Sequence, residues 1–281
     1  MTKVKELFGV NTSTSGVDWR NIIQDQTCPF LGRKCIKTRK SQPSIAIGTC
    51  TMCYGREQKD IIICPHRLIE RRQIFTDCLH LLTNHVPGNE LHVVSEIQIP
   101  GGNVDYFLVS AKNGKVRDFV GIELQTMDTT GTVWPERERF LEKVGFDVDE
   151  EVIASKSSFG MNWKMTAKTI LVQLHHKIKT FEHLNKHLVL VVQDPLLDYM
   201  KDNFSFSHVG EATVGDPLHF HSYSLDKRAD DQLALNLSTR LSTDTEGMSI
   251  CLGLQAEARV ELLDIIAKLE ARMSVSTLLT L

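Results

Sequence analysis

Acidic side chains near the middle of the chain are spaced in a way that suits a divalent-cation site. Asp105 begins one apolar stretch, and Glu123 interrupts another, with Gln125 two residues after it. Residues two apart on a β-strand face the same way, so Glu123 and Gln125 share a face. Two carboxylates about 4 Å apart repel by roughly 4 kcal/mol at an effective dielectric of 20, and a bound cation turns this repulsion into attraction. Mg²⁺ prefers one or two carboxylates with waters and phosphate oxygens. The pattern therefore predicts Mg²⁺-assisted attack of water on a phosphodiester.

Gln125 and Glu96 complete the set of candidate catalytic residues. Gln125 would orient the attacking water through a hydrogen bond, although a glutamine cannot act as a base. Glu96 lies in the stretch before Asp105 and is a third candidate acid, with a solvated strand residue as an equal alternative. On spacing alone, an Asp and a Glu-x-Gln on neighbouring strands are more often surface residues. The catalytic interpretation is favoured because Glu123 and Gln125 interrupt an apolar strand.

A predicted hairpin brings these residues together. Asn113-Gly114 is a strong turn signal between two apolar stretches, so Asp105 can approach Glu123. The predicted elements of this region are a helix at 68–85, strands at 91–99, 104–111 and 116–127, a polar connection at 128–160 with a helix at 137–144, a helix at 161–185 and a strand at 188–192. This order predicts an α/β fold with a mixed sheet, which a hairpin meander begins and a helical crossover completes.

The two ends of the chain have weaker patterns. Residues 1–20 are interpreted as an arm, or as a short helix followed by a loop. Strands are predicted at 219–225 and 250–254, and a final amphipathic helix at 256–273.

Five cysteines fall between Cys28 and Cys64 and indicate a metal site. They are Cys28, Cys35, Cys50, Cys53 and Cys64. Four thiolates form a closed tetrahedral site for zinc or iron, and such a site supplies folding energy to a module with little core of its own. The alternative is a set of scattered buried cysteines, because the spacings differ from those of a standard zinc ribbon.

Basic residues accompany the cysteines. They are Arg33, Lys34, Lys37, Arg39 and Lys40, followed by Arg67, Arg71 and Arg72. A solvated face and a surface that contacts phosphate groups are equal interpretations of this cluster. The net charge of −3 counts mildly against a nucleic-acid partner, although local patches matter more than the sum.

The overall composition is that of a globular protein. The chain has 281 residues, 42% hydrophobic and 24% charged. We find no apolar run near the roughly 18 residues that a membrane helix needs, and the N-terminus lacks the apolar segment of a signal peptide. A cytoplasmic location, away from membranes, is the default expectation.

Four cysteine phrases and one acidic segment carry a family resemblance. The phrases are Thr27-Cys28-Pro29-Phe30-Leu31, Cys35-Ile36-Lys37, Gly48-Thr49-Cys50 and Cys64-Pro65-His66-Arg67, and the segment is Glu123-Leu124-Gln125-Thr126-Met127-Asp128. Together they resemble motifs of the NotI-type restriction endonuclease family. The resemblance extends over roughly residues 27–200 and includes the helix that contains Trp163 and the strand after it.

The resemblance implies a PD-(D/E)xK nuclease core and Mg²⁺-dependent hydrolysis of both strands of double-stranded DNA by a homodimer. It implies that Cys28, Cys35, Cys50 and Cys64 hold a structural iron, with Cys53 as an alternative to Cys50. It also implies catalytic roles for Asp105, Glu123 and Gln125, and Glu96 resembles an additional upstream acid. A short, palindromic and GC-rich recognition site is the corresponding expectation.

The predicted organisation is therefore an N-terminal arm and four-cysteine metal-binding module at 1–67, followed by a nuclease domain with a C-terminal extension at 68–281. The helix at 256–273 is a candidate for the dimer interface or, equally, for core packing. Two alternatives to a type II restriction endonuclease remain at this stage. One is a DNA repair or recombination nuclease on the same core, and the other is a non-catalytic DNA-binding protein with a metal-bound fold.

Overall fold

The computed structural model of the chain describes residues 2–155, 159–254, 265–267 and 270–271. Its strands are β1 (Val4–Leu7), β2 (Val10–Asn11), β3 (Thr27–Cys28), β4 (Arg33–Lys34), β5 (Thr38–Arg39), β6 (Gln42–Ala46), β7 (Thr49–Tyr54), β8 (Lys59–Ile62), β9 (Glu90–Ile99), β10 (Gly102–Lys112), β11 (Lys115–Leu124), β12 (Thr129–Thr130), β13 (Gly160–Met161), β14 (His187–Gln193), β15 (Gly210–Glu211), β16 (Leu218–Lys227) and β17 (Leu233–Thr243).

The helices flank these strands. They are α1 (Trp19–Asp25), α2 (Gln73–Asp77), α3 (Trp134–Lys143), α4 (Glu150–Ala154), α5 (Trp163–His183), α6 (Asp194–Asn203) and α7 (Thr245–Cys251). Before α2, the segment Pro65–Arg72 contains 3-10 turns interrupted at Ile69, Glu70 and Arg71, and a short 3-10 helix at Leu79–Leu81 follows α2.

A seven-stranded mixed sheet forms the centre of the molecule, in the order β15-β17-β16-β14-β11-β10-β9. The strands β9, β10 and β11 form an antiparallel meander. Strand β14 runs parallel to both β11 and β16, because α5 carries the chain back across the sheet between β11 and β14. The fold is therefore α/β, with a large mixed sheet flanked by helices.

Hydrophobic residues cover both faces of the sheet, and β14 is buried along its whole length. Leu188 and Leu190 pack in a cluster with α5 and α6 on one face. Val189 and Val191 pack on the other face with the segment around α2. The alternation of side chains along a strand explains how one apolar run serves two cores.

The N-terminal strands form a second sheet, in the order β2-β1-β7-β8. Leu7 and Met52 from this sheet belong to the same hydrophobic cluster as α5 and β14. Gln193 joins the two sheets, because its amide oxygen accepts from Ile62 N at 2.8 Å and its amide nitrogen donates to Asp60 O at 2.7 Å. The cysteine region thus packs directly against the central sheet.

Several predicted elements agree with the structure. The three meander strands, the α5 helix, the β14 strand and the helix inside the polar connection are confirmed. The predicted strand at 219–225 corresponds to β16, whereas the third meander strand ends at Leu124, three residues earlier than predicted. The predicted final helix at 256–273 lies almost wholly outside the described residues.

The single helix predicted at 68–85 is wrong. The backbone is extended at Glu70 and left-handed at Arg71 and Arg72, so the segment breaks into short helical pieces. The cause is tertiary, because Glu70 turns to accept from Arg67 Nη1 and from Leu235 N, each at 2.8 Å.

Two predictions at the chain ends are also wrong. Residues 1–20 contain β1 and β2, because Val4 and Leu7 are buried against the cysteine region. The strand predicted at 250–254 falls on α7 and the turn after it. Asp244 starts this helix by accepting from Gly247 N at 2.8 Å, which is an N-cap signal that outweighs a short apolar run.

Candidate active site and cysteine cluster

Three acidic residues lie in one row across the meander. The pairing of Tyr106 with Ile122 continues by one step to place Asp105 opposite Glu123. On the β9 side of the same strand, Asp105 falls opposite Glu96, because the flanking pairs Val104–Ile97 and Tyr106–Ser95 share one register. The structure therefore brings Glu96, Asp105 and Glu123 onto neighbouring positions of β9, β10 and β11.

The two inner acids are held by hydrogen bonds that the hairpin and α5 supply. Asp105 Oδ2 accepts from the backbone N–H of Leu124 at 2.8 Å. Glu123 is buried, and its Oε1 accepts from Lys177 Nζ at 2.6 Å. Hydrogen bonds thus hold both carboxylates, Glu123 inside the sheet core and Asp105 half-buried beside it.

Burial makes negative charge costly at this row. Desolvation raises the pKa of Glu123 to about 7, and the nearby Asp105 contributes to that rise, while Lys177 opposes it. Desolvation also raises the pKa of Asp105, and Glu96 adds to that rise, whereas Leu124 N–H and Lys177 oppose it. Two mutually repelling carboxyl groups with raised pKa values favour a bound cation or a proton between them.

Lys177 is the residue of this site that sequence reasoning missed. Its side chain comes from α5 and donates to Glu123 and also to Asn103 O. The signal for it is visible in hindsight, because Lys177 falls on the apolar stripe of the helix with Ile170, Leu174 and Phe181. A lysine on such a stripe is buried and needs a partner.

Gln125 and Glu96 are less closely joined to the pair. Gln125 follows the end of β11, where its backbone N–H donates to Val191 O at 3.0 Å and its side chain donates to Thr126 O at 2.6 Å. Glu96 is exposed and has a left-handed backbone with φ of 57°. A non-glycine residue in this conformation within a strand is strained, and the strain falls beside Asp105.

Four of the five clustered cysteines surround one small cavity. Cys28, Cys35, Cys50 and Cys64 line it, together with Phe8, Lys37, Gly48 and Thr49. Its free volume of about 10 Å³ is close to that of one water-sized sphere. Cys53 lies elsewhere, and its Sγ contacts Gln58 O at 3.2 Å and Gln58 Oε1 at 3.3 Å. The structure therefore places Cys50 rather than Cys53 with the other three.

The thiols of this cluster differ in their electrostatic surroundings. A hydrogen bond with Cys50 lowers the pKa of Cys64, and the backbone N–H groups of His66 and Arg67 together with Lys37 act in the same direction. That hydrogen bond and burial raise the pKa of Cys50, and burial raises the pKa of Cys28. Cys64 is the thiol best placed to ionise.

Ligating side chains do not by themselves complete a cation cage. Within the described ranges, no three His, Cys, Asp or Glu side chains stand in an arrangement that could hold a metal ion. Any metal at either cluster would need further ligands or a closer approach of the side chains.

A comparison with known families identifies the chain. The sequence model described as "Restriction endonuclease NotI" matches residues 20–220, which is more than half of the chain and includes both clusters. The chain belongs to the NotI restriction endonuclease family. No curated protein matches it.

Membership of the NotI family confirms the function predicted from the sequence. The protein is a type II restriction endonuclease, a site-specific deoxyribonuclease that binds double-stranded DNA and cuts it. The predicted repair nuclease and the non-catalytic binding protein are thereby disfavoured. Among the described residues, every helix is too short or too polar to cross a membrane.

The basic residues of this NotI-family chain divide into exposed and engaged groups. Arg33, Lys34 and Lys40 are exposed. Lys37 Nζ donates to Ile63 O at 3.2 Å, and the Arg39 guanidinium lies 4.5 Å from the Trp134 ring centre. Lys37, Arg39 and Lys40 also line an open groove of about 930 Å³.

Arg67 is the exception to the predicted phosphate-contacting surface. It is 1% exposed and forms ion pairs at 2.8 Å with both Glu6 and Glu70. Its guanidinium also donates to Leu233 O at 3.0 Å. Arg67 therefore joins β1, the segment before α2 and β17, and including it among DNA-contacting residues is wrong.

The cysteine region and the carboxylate row adjoin each other through His66. Desolvation lowers the pKa of His66, and the charges of Arg33 and Lys37 lower it further, whereas Asp105 raises it. Arg33 also lowers the pKa of Tyr106, which burial and Asp105 raise. Positive charge from the cysteine region thus reaches the acidic row.

Proposed function

We propose that this endonuclease hydrolyses DNA with Mg²⁺ and that Asp105 and Glu123 are the protein ligands of the ion. The observation that carries this proposal is their placement on neighbouring strands, one step beyond the Tyr106–Ile122 pair, with Glu123 buried and Asp105 half-buried. Mg²⁺ usually takes one or two carboxylates and fills its remaining positions with water and phosphate oxygens. A site without a third protein ligand fits that preference. When bound, Mg²⁺ would supply charge stabilisation for the phosphodiester and lower the pKa of a bound water.

Gln125 and Glu96 have supporting roles in this proposal. Gln125 orients the attacking water through its side-chain amide, which requires its bond to Thr126 O to be exchanged. Glu96 acts as the additional upstream acid, and its strained backbone beside Asp105 supports that role. Asp105, Glu123 and Gln125 form a PD-(D/E)xK-type centre in which glutamine takes the place of the lysine.

The fold supports the PD-(D/E)xK assignment. The acids lie on the second and third strands of an antiparallel meander, and a helix then leads to a strand parallel to the third one. This arrangement opens the row of acids to a duplex at the end of the sheet where β11 and β14 finish.

We also propose that Cys28, Cys35, Cys50 and Cys64 hold one structural iron or zinc ion. Four thiols around a cavity of atomic size support it, as does the lowered pKa of Cys64, since thiolates are the ligating form. Residues 1–67 then form the metal-binding module, which includes β1 and β2, and residues 68–281 form the nuclease domain with its C-terminal extension.

The basic side chains around the cysteines are proposed to contact DNA phosphates. Arg33, Lys34, Lys37, Arg39 and Lys40 lie on the cysteine region, and Arg33 acts electrostatically on residues beside Asp105. A duplex held along this surface would therefore reach the catalytic row.

A homodimer acting on a palindromic, GC-rich site completes the proposal. A symmetric dimer places one active site on each strand of such a duplex. Strand β9 supports self-association, because it is an edge of the sheet with exposed Leu91, Val93, Val94 and Ile97. The enzyme would act in the cytoplasm, where its DNA substrate is found.

One digestion tests the proposed function as a whole. Genomic DNA incubated with the protein and Mg²⁺ should give discrete fragments, and sequencing their ends should show one palindromic site. Fragments that begin at random sequences would contradict site-specific cleavage. Sedimentation of the protein with a duplex that contains the site should show two chains per duplex, and one chain per duplex would contradict the homodimer.

A further inference from the structure

We propose that Lys177 is a positioning residue of the nuclease reaction, which orients the Glu123 carboxylate and supplies positive charge beside it. This inference rests on the proposed role of Glu123 as a metal ligand. It assigns to a residue on α5 the positive charge that Gln125, just after β11, cannot provide.

The contacts of Lys177 are confined to the active-site end of the meander. Its Nζ donates to Glu123 Oε1 at 2.6 Å and to Asn103 O, two residues before Asp105. The side chains of Lys177 and Glu123 are each 5% exposed. A buried ion pair of this kind leaves the Glu123 carboxylate few alternative orientations.

Two glycines where β9 leads into β10 allow α5 to pack closely against the meander at Lys177. Gly101 lies in the turn between β9 and β10 and Gly102 begins β10, with φ values of +100° and +136°. A Cβ atom at Gly101 would lie 2.4 Å from His176 O, and one at Gly102 would lie 3.1 Å from Lys177 Cε. Only glycines let the turn pack this closely against the helix at Lys177.

Stability alone does not account for the lysine. Replacing a buried ion pair by apolar side chains of similar size is often neutral or stabilising, so a fold with no need for this charge could replace both partners. Glu123 faces Asp105 across the hairpin, and the charge of Lys177 acts on both carboxyl groups. Lys177 therefore offsets the repulsion within the pair and keeps Glu123 directed along the row.

The test compares Lys177→Met, Lys177→Gln and Lys177→Arg with the wild-type enzyme. The substrate is a plasmid that carries the cleavage site, and single-turnover rates are measured over a Mg²⁺ titration. We expect the rate at saturating Mg²⁺ to fall about 10- to 100-fold in the Met variant, as for other residues that orient a metal ligand. Arginine should recover part of the rate. Binding of the site duplex in Ca²⁺ should change by less than about threefold, because Lys177 is buried.

Controls separate this role from a structural one. Lys168→Met changes an exposed lysine of the same helix and should cleave normally. If Lys177→Met fails to fold, Lys177→Gln keeps a hydrogen-bond donor for Glu123 without the charge, and its rate should still fall about tenfold. A folded Met or Gln variant that cleaves at the wild-type rate across the titration would overturn the inference. Equal losses of cleavage and of DNA binding would also overturn it. Glu123→Ala separates the two proposals, because wild-type cleavage by that variant would instead remove the proposed metal site.

Discussion

The acidic row and the cysteine cluster are assembled in opposite ways. Asp105 and Glu123 lie one step beyond the Tyr106–Ile122 pair of one hairpin, and a lysine from α5 donates to Glu123. The four cysteines come from separate short segments, with Cys28 on β3, Cys50 on β7 and the other two in connecting loops. One hairpin therefore positions the two inner acids, whereas the cysteines depend on several segments that pack against the central sheet.

Because of this difference, we expect substitutions in the acidic row to affect mainly cleavage and substitutions in the cysteine cluster to affect mainly folding. The acidic row lies within a sheet whose two faces are packed by large hydrophobic clusters, so the sheet should still form when one carboxylate of the row is removed. The cysteine region combines the two-residue strands β3, β4 and β5 with the longer strands β6, β7 and β8 and the turns between them. A metal ion bound there would contribute directly to folding.

The largest effect is expected from removing a proposed Mg²⁺ ligand. Asp105→Ala and Glu123→Ala should each lower the cleavage rate by at least about 10⁴-fold, on the order of 5 kcal/mol of transition-state stabilisation. Binding of the site duplex in Ca²⁺ should stay close to wild type. The melting temperature should stay close to wild type for Asp105→Ala and fall for Glu123→Ala, which leaves Lys177 buried without its partner. Single-turnover cleavage and duplex binding provide the measurements. Wild-type cleavage by either variant would contradict the assignment, and joint loss of folding and binding would make these acids structural.

The second effect concerns the cysteine cluster, where folding should respond before chemistry. Cys28→Ser and Cys64→Ser should each lose the bound metal, and the free energy of unfolding should fall by roughly 3–4 kcal/mol. Elemental analysis should find about one iron or zinc per wild-type chain. Cys53→Ser is the matched control, since Cys53 lies outside the cavity, and its unfolding free energy should change by less than about 0.5 kcal/mol. Metal-free protein that is folded and fully active would refute a structural metal.

The same contrast explains how much of each cluster was visible in the sequence. The Asn113-Gly114 turn has positive φ at both residues and joins β10 to β11, as expected for this dipeptide in a hairpin. Local turn chemistry and the two-residue period of strands therefore predicted that Asp105 meets Glu123. Which cysteines converge could not follow from spacing alone, because it depends on how β3 and β7 are placed in space.

Long-range contacts account for what the sequence could not predict. Lys177 lies 54 residues from Glu123, and their pairing depends on how α5 docks on the Gly101-Gly102 turn. Arg67 pairs with Glu6, 61 residues away, and is buried by that contact. The sequence alone had grouped Arg67 with the basic residues of a possible DNA-contacting surface. The break of the helix at Arg71 and Arg72 likewise serves the contact of Glu70 with β17.

The pH dependence tests the electrostatics of the acidic row. The pKa of Glu123 is raised to about 7 by burial, so a proton competes with Mg²⁺ below that pH. The Mg²⁺ concentration for half-maximal cleavage should rise about tenfold as the pH falls from 8 to 6. Cleavage rates over Mg²⁺ titrations at several pH values measure this rise. A constant Mg²⁺ requirement over that range would contradict the raised pKa.

The same shift has a signature in the stability of the metal-free protein. The pKa of Glu123 is 4.5 in the unfolded chain and about 7 in the folded one, so the folded state binds more protons between these values. Its contribution to stability is complete below about pH 4.5 and is lost as the pH rises through 7, by roughly 3 kcal/mol. Denaturant unfolding without metal should show this decline, and Glu123→Gln should reduce it.

The smallest effect is expected at Gln125, whose contacts differ from those of the two acids. Its amide donates to Thr126 O rather than to Asp105 or Glu123, and it lies just beyond the end of β11. A residue that only orients water contributes about one hydrogen bond, so Gln125→Ala should slow cleavage about three- to tenfold, near 1 kcal/mol. Gln173→Ala, an exposed glutamine of α5, provides the control in the same single-turnover assay. A loss as severe as that of Asp105→Ala would show that Gln125 also holds the scissile phosphate. Cleavage would then require Gln125 as well as the two acids, although the hairpin register alone does not position Gln125.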